Sequence, residues 1–138
     1  MEHEIQGRAL IAGNAEGEAL VSSEPLSFWG GFDARTGEII DQRHTLVGAR
    51  VTGKIFAIPS GRGSSSGSGL LLEGIRLGTA PAAMILSHAD QILALGAIVA
   101  REVYQKTMPV VVVSEDDFAQ LQDARRVRVD ENGGVWWE

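Results

Sequence analysis

The stretch that decides the fold of this chain is Val51-Thr52-Gly53-Lys54-Ile55-Phe56-Ala57-Ile58-Pro59-Ser60-Gly61-Arg62-Gly63-Ser64-Ser65-Ser66-Gly67-Ser68-Gly69. Residues 51–58 are rich in β-branched and aromatic side chains, which predicts a strand that Pro59 ends. Residues 65–77 place Leu71, Leu72 and Ile75 on one face of a predicted helix. The sequence therefore indicates a strand-to-helix junction, and we call its connecting residues 59–69 the glycine–serine loop.

The rest of the chain is rich in strands before this junction and alternates strands with helices after it. Before it we predict strands at residues 5–11 and 18–22, a turn at 13–17 and a long loop at 24–45. After it come a strand at 82–86, a helix at 91–104 capped by Asp90 and a strand at 110–113. A short helix is predicted from Asp116 or Asp117 to Leu121, and a hairpin at 127–137.

This order predicts an α/β fold with a β-rich N-terminal half, a βαβα segment and a C-terminal hairpin. Within residues 91–104 the apolar side chains that recur at helical spacing are Ile92, Leu95, Val99 and Val103. There is no internal repeat, and 138 residues correspond to about one domain, so we expect a single domain over 1–138.

Composition excludes several classes of protein. The chain has no cysteine, which rules out a disulfide framework, a cysteine zinc site and a cysteine-ligated iron–sulfur cluster within it. Twelve basic against 18 acidic residues give a net charge of −6, which argues against general nucleic-acid binding. The three histidines lack metal-ligand spacing, so we expect no metal site.

The sequence shows neither a signal peptide nor a membrane span. No apolar run approaches the ~20 residues of a membrane helix, and the N-terminus lacks a basic segment followed by an apolar one. We therefore expect a cytoplasmic protein without membrane association.

The glycine–serine loop has the composition of an anion site. Glycines let a ligand approach the backbone, and the first turn of a helix offers unpaired N–H groups at the positive end of its dipole. Arg62 adds a guanidinium that can hold a carboxylate or phosphate in two hydrogen bonds. A flexible turn is the alternative. The spacing fits neither a P-loop, nor a dinucleotide fingerprint, nor a nucleophile elbow.

Several segments in this order resemble the small subunit, or swivelling domain, of the aconitase X family. The most specific match is residues 60–68, which resemble the serine loop of the aconitase superfamily. The supporting matches are Gly30-Gly31-Phe32-Asp33, Thr36-Gly37, Asp41-Gln42-Arg43-His44, Leu46, Gly48, Gly53-Lys54 and Ala94-Leu95-Gly96-Ala97. The resemblance covers residues 13–113.

The resemblance implies a swivelling β/β/α domain and a hydro-lyase that removes water from a small hydroxy acid. Known substrates in the family are cis-3-hydroxy-L-proline and mevalonate 5-phosphate. It also implies a partner, a large cysteine-bearing subunit that holds the iron–sulfur cluster, while this chain binds no cofactor. Alone, the chain would then be inactive. From the segment Phe28-Trp29-Gly30-Gly31 we favour the branch of the family that acts on cis-3-hydroxy-L-proline.

By the same resemblance Ser64 is the expected base, with Ser65 and Ser66 as neighbours that remain candidates for that role. Gly63, Ser65, Ser66 and Arg62 are the expected substrate-binding residues. The Arg that follows the serine pair elsewhere in the superfamily is absent, because Ser66 stands there. Arg62 or a residue of the large subunit must replace it.

His44 is a candidate to line the cleft, although a loop histidine bonded to backbone is the commoner situation. Two other classes of function stay open. One is a non-catalytic mobile carrier, in which His44 would be the only candidate for phosphorylation. The other is an anion-binding module that acts without a partner.

Overall fold

A computed structural model describes residues 2–62 and 66–138. In chain order the strands and helices are β1 His3–Gln6, β2 Arg8–Ile11, β3 Ala15–Val21, α1 Phe28–Gly31, β4 Phe32–Asp33, β5 Glu38–Ile39, β6 Ile55–Ala57, α2 Ser66–Leu77, β7 Ala83–Leu86, α3 Gln91–Tyr104, β8 Val110–Val112, α4 Glu115–Ala119, β9 Arg126–Val129 and β10 Gly134–Trp137. A 3₁₀ turn at Gln120–Asp123 follows α4.

Eight strands form one sheet in the order β1-β10-β9-β3-β6-β7-β8-β2, and β4 pairs with β5 separately. Strands β3, β6, β7 and β8 run parallel, while β1, β10, β9 and β2 pair antiparallel with their neighbours. Strands β1 and β2 are consecutive in the chain but stand at opposite ends of this order. The sheet therefore curls until its two ends nearly meet.

Gly7 is the residue at which those two ends meet, and it corrects the prediction of one strand over 5–11. Its N–H donates to the carbonyl of Gly133 at 2.8 Å, which ties the end of β1 to the terminal hairpin. A Cβ at this position would lie 2.5 Å from Cγ1 of Val111 and 2.9 Å from the carbonyl oxygen of Val112. Only glycine lets the chain pass this closely over β8.

The central strands are buried on both faces, as expected for parallel strands. Ile55 and Ala57 of β6 face a core inside the curled sheet, and Phe56 faces a second core beneath α2 and α3. The layers are thus sheet, sheet and helix. This confirms the predicted α/β fold with its βαβα segment and C-terminal hairpin.

The predicted loop at 24–45 contains the short elements α1, β4 and β5, and several other boundaries differ from the prediction, three of them for reasons that the structure shows. Strand β6 is confined to Ile55–Ala57, because Gly53 takes a φ of +73° and turns the chain just before it. Strand β3 starts at Ala15, inside the predicted turn, because its first residues pair with β9. Helix α4 starts at Glu115, since the Ser114 hydroxyl accepts from the N–H of Asp117 and caps it.

Helix α3 has the predicted bounds, but its periodic apolar residues face outward. The buried residues are Leu93, Ala94, Gly96, Ala97 and Ala100. These are mostly small because α3 packs closely on α2: a Cβ on Gly96 would lie 2.5 Å from the carbonyl oxygen of Ser68. No helix in the described part of the chain is long and apolar enough to span a membrane.

Candidate functional site

The parallel strands β3, β6, β7 and β8 all end at one edge of the sheet, where ligands bind in open α/β folds. The glycine–serine loop leaves this edge after β6 and leads into α2. The segment after β7 leads into α3, so the N-termini of both helices lie at the same edge. Helix α2 has 12 residues and α3 has 14 residues.

Asp90 joins these two helix starts. Its Oδ1 accepts from the N–H groups of Ile92 and Leu93 at 3.0 and 3.1 Å, which caps α3. Its Oδ2 accepts from the N–H of Gly61 at 2.9 Å, which fixes the start of the glycine–serine loop. A Cβ on Gly61 would lie 2.8 Å from that oxygen, so this close approach requires glycine.

A second set of backbone contacts holds the loop from the other side. The carbonyl of Leu26 accepts from the N–H of Arg62 at 3.1 Å, and the N–H of Leu26 donates to Ser60 at 3.3 Å. Leu26 and Gly61 thereby form a parallel bridge outside the main sheet. Residues 60–62, which precede the serines in the chain, are therefore held by hydrogen bonds on both sides.

A small cleft opens beside the held loop. Its volume is about 40 Å³, and its lining residues are Leu26, Phe28, Gly61, Arg62, Gly67, Asp90, Ile92 and Leu93. Pockets that enclose a small-molecule ligand usually measure ~300 Å³ or more. This cleft can therefore take part of a ligand, such as one carboxylate, but cannot enclose a whole hydroxy acid.

The charge of the cleft comes from Arg62 and Asp90. The carboxylate of Asp90 is engaged by three backbone N–H groups. Arg62 is exposed, and its guanidinium has no ion-pair partner among residues 2–62 and 66–138. A ligand at this edge thus meets an available positive charge together with the N-terminus of α2, an arrangement suited to an anion.

The short helical segment α1 supplies the other rim of the cleft. Phe28 is buried and packs edge-to-face on Phe32 at a centroid distance of 5.3 Å. Trp29 and Gly30 depart from helical geometry, Gly30 with a φ of +80°, and the side chain of Trp29 is 63% exposed. Phe28 is therefore the anchor of this segment, and it leaves the neighbouring indole at the surface.

The structure brings together only some of the residues predicted from sequence. Arg62 lines the cleft, and Ser66 is the first residue of α2. Gly63, Ser64 and Ser65 lie outside the described residues. The sequence analysis predicted Asp90 as a helix cap but missed its bond to the loop, and it did not single out Leu26 or Ile92. The sequence signal that could have placed Asp90 and Ile92 near the loop is the alternation of strands and helices, because it puts successive helix N-termini at one edge of the sheet.

His44 does not line this cleft. It is 4% exposed, its Nδ1 accepts from the N–H of Leu46 at 3.1 Å, and its Nε2 lies 3.3 Å from the carbonyl oxygen of Glu24. These contacts indicate the tautomer with hydrogen on Nε2 and a role in packing the loop over residues 40–49. A phosphocarrier needs an exposed histidine, and the burial of His44 counts against that alternative.

The described residues offer no group of histidine and carboxylate side chains able to hold a metal ion. Without cysteine, this chain does not fit an iron–sulfur cluster either. Among the described residues, the chemistry available at the cleft is therefore anion binding by Arg62, which lines it near the start of α2.

Comparison with known proteins identifies the family. The family model for the aconitase X swivel domain matches residues 4–136. This chain belongs to that family. The swivel domain also superimposes on the crystal structure of Thermococcus kodakaraensis aconitase X (holo-form) with a TM-score of 0.88 and 35% identity, over 99% of this chain and 98% of that one.

Two groups of curated relatives resemble this swivel domain. It is 49% identical over 125 residues to the cis-3-hydroxy-L-proline dehydratase of Pseudomonas aeruginosa, which covers 89% of this chain and 22% of that protein. It is 42% identical over 132 residues to the phosphomevalonate dehydratase small subunit of Methanothermobacter thermautotrophicus, which covers 95% and 96%. The swivel domain thus spans about a fifth of the hydroxyproline dehydratase and nearly all of the small subunit.

Proposed function

We propose that this chain is the small subunit of an aconitase X-type hydro-lyase, which dehydrates a small hydroxy acid together with a large, cysteine-bearing subunit. The observation that carries the proposal is the way the start of the glycine–serine loop is held. Asp90 and Leu26 fix residues 60–62, which include the cationic Arg62 and precede α2 in the chain. The family and the names of the relatives supply the reaction class.

Dehydration removes a proton from a carbon, commonly next to a carboxylate, and expels hydroxide from the neighbouring carbon. In the proposal Ser64 takes the proton, and the substrate anion binds Arg62, Gly63, Ser65 and Ser66. Backbone N–H groups at the start of α2 and the charge of Arg62 stabilise an alkoxide and lower the pKa of a serine hydroxyl placed there. An iron–sulfur cluster, held by cysteines of the large subunit in this proposal, would supply Lewis-acid chemistry for the departure of hydroxide.

The size of the cleft supports the need for a partner. A volume of about 40 Å³ leaves most of a hydroxy acid uncovered, so a second surface must complete the site. The swivel domain matches 22% of the P. aeruginosa dehydratase, so the remaining part of that chain is long enough to supply such a surface. A cytoplasmic location of this two-subunit enzyme is part of the same proposal.

For the substrate we propose cis-3-hydroxy-L-proline before mevalonate 5-phosphate. The sequence identity is higher to the hydroxyproline dehydratases of P. aeruginosa and Hypocrea jecorina, at 49% and 47%, than to the phosphomevalonate small subunits quoted, at 42% and 40%. The exposed Trp29, which follows the cleft residue Phe28 in the chain, is consistent with this choice, because an indole face attracts the ring ammonium of a proline-type substrate.

The test is to co-express the chain with the large aconitase X subunit of the same organism and to assay both substrates. We expect turnover of cis-3-hydroxy-L-proline by the complex and none by the isolated chain. Ser64→Ala should lower kcat by about 10²–10⁴-fold, the usual contribution of a general base. Ser65→Ala and Ser66→Ala, prepared in parallel, should raise KM more than they lower kcat.

Two results would contradict this proposal at different levels. Full turnover by the Ser64→Ala complex, with a loss in Ser65→Ala or Ser66→Ala, would move the base to a neighbouring serine. No turnover of either substrate by a stable wild-type complex would overturn the assigned reaction.

A further inference from the structure

One side of α3 presents apolar side chains to solvent. Four residues recur on this side at three- and four-residue spacing, and we call them the α3 stripe: Ile92, Leu95, Val99 and Val103. Leu95 and Val103 are 52% and 58% exposed, Ile92 is 38% exposed, and Val99 is half-buried. Contiguous exposed apolar patches mark interaction surfaces when they are large, whereas singly scattered apolar residues are ordinary, so the stripe counts as part of a larger surface.

Close packing on α2, and not a loosely packed core, sets the outward orientation of the α3 stripe. The flank of the helix next to the stripe is already packed on α2, so closely that Gly96 cannot carry a Cβ against the carbonyl of Ser68. Rotating α3 to bury the stripe would bring larger side chains into that contact. The helix is therefore fixed with the stripe outward.

The α3 stripe begins in the candidate site. Ile92 lines the cleft together with Arg62 and Gly61, and it occupies the first turn of α3. From there the stripe runs along the 14-residue helix, about 21 Å. Whatever covers the stripe at Ile92 also lies against the open side of the cleft.

The area of the α3 stripe decides between two occupants. A helix face about 21 Å long and about 10 Å wide offers roughly 200 Å², whereas a standard stable interface buries about 800 Å² on each partner. A second copy that paired stripe to stripe would have too little contact. Because Ile92 belongs to both the stripe and the cleft, the stripe fits better as one part of a larger interface with a polypeptide that also covers the cleft.

We propose that the α3 stripe is the surface on which the large subunit docks, and that the docked subunit forms the missing wall of the cleft. This inference rests on the proposed function and specifies the partner's position. It follows from the exposed row, its start at Ile92 in the cleft, and a cleft too small to enclose a substrate.

The test uses the full chain with Leu95→Glu and Val103→Glu combined, co-expressed with the large subunit. Both side chains are more than half exposed, so the isolated variant should keep the wild-type Tm. Its Kd for the large subunit should rise at least about 30-fold, because two carboxylates would be buried in an apolar contact. Val47→Glu, at an apolar residue 40% exposed outside α3, is the matched control and should change Kd by less than about twofold.

Hydrogen exchange on the wild-type complex gives a second readout that needs no variant. Backbone amides of residues 91–104 should exchange more slowly in the complex than in the isolated chain, while those of β9 should not change. A wild-type chain that fails to bind the large subunit would overturn the proposed function itself. A wild-type complex that Leu95→Glu/Val103→Glu leaves intact, with unchanged exchange in α3, would overturn only the docking surface. An isolated chain whose dimerisation this double variant abolishes would assign the stripe to a second copy.

Discussion

The carboxylate of Asp90 binds the backbone of two elements at once: Oδ2 accepts from Gly61 at 2.9 Å, and Oδ1 caps the first turn of α3. The glycine–serine loop and the start of α3 are 29 residues apart in sequence and share this one side chain. A change that moves α3 therefore also moves the loop, because the hydrogen bond transmits the displacement.

Asp90→Asn separates the two functions of this side chain. The amide oxygen can still cap α3, but the amide nitrogen cannot accept from the N–H of Gly61. We expect a loss of unfolding free energy below about 1 kcal/mol, measured by urea denaturation, and a clear fall in kcat of the two-subunit enzyme. Asp90→Ala should lose about 1–2 kcal/mol, because the cap is lost as well.

Ser114→Ala is the matched control for Asp90, since the Ser114 hydroxyl caps α4 without contacting the loop. It should cost about 1 kcal/mol of stability and leave turnover unchanged. If Asp90→Asn kept full turnover while Ser114→Ala reduced it, the bond from Asp90 to Gly61 would have no role in the site.

Gly96→Ala tests the close packing of α2 on α3. Alanine is the better helix former by about 1 kcal/mol, yet its Cβ would lie 2.5 Å from the carbonyl oxygen of Ser68. Because the neighbour is backbone and cannot move aside, we expect a net loss of about 1–3 kcal/mol in urea denaturation. Gly69→Ala meets nothing within 4 Å and should instead stabilise by about 0.4–1 kcal/mol. Equal effects of the two substitutions would contradict the close contact.

Arg62→Gln tests the anion-binding role of the guanidinium. Its side chain has no ion pair in the described part of the chain, so Tm should stay within about 2 °C of wild type. The KM of the complex should rise by about 10–100-fold, as for the loss of a charge-assisted hydrogen bond, with a smaller change in kcat. Arg125→Gln, at an exposed arginine that does not line the cleft, is the control and should alter neither quantity. An unchanged KM in Arg62→Gln would assign the substrate anion to other groups.

Trp29 provides an optical reporter for the rim of the cleft. Its indole is 63% exposed, whereas Trp137 is 5% exposed and stacks on His3 at 5.3 Å. Because docking of the large subunit should remove Trp29 from water, we expect a blue shift of tryptophan emission when a tryptophan-free large subunit is added. The shift should be absent in Trp29→Phe and retained in Trp137→Phe. A shift that survives Trp29→Phe would place the contact at another tryptophan.

The sequence predicted the helices better than the strands. The N-terminus of α3 follows from a local signal, since Asp90 is a strong capping residue, and its C-terminus falls where Gln105 takes a φ of +52°. Strand ends depend on partners far along the chain, and the pairing of Ala15 with Val129 lengthens β3 beyond anything its own residues indicate. The break between β1 and β2 at Gly7 also cannot be predicted from neighbouring residues, because it depends on the close approach of Val111.

In the candidate site, too, some residues could be predicted from neighbouring sequence and others depend on distant parts of the chain. Arg62 and the serines stand out by composition, which is local, and so could be predicted as a group. Leu26 and Phe28 come from one segment and Ile92 from α3, and these two distant parts of the chain form the cleft only in the folded protein. His44 could equally have been a cleft or a packing residue from sequence, and its burial followed from how the loop folds back over Glu24.

By itself, the sequence determined the α/β class and most element types, and it predicts an anion-binding loop at a strand-to-helix junction. These depend on interactions among residues close in the chain: apolar periodicity, helix capping and the backbone freedom of glycine. Only the tertiary structure decided that the sheet curls, that Asp90 holds the loop and that the apolar row of α3 faces solvent. Those outcomes depend on which distant segments approach most closely, and at Gly7, Gly61 and Gly96 that is set by the space that a missing Cβ leaves.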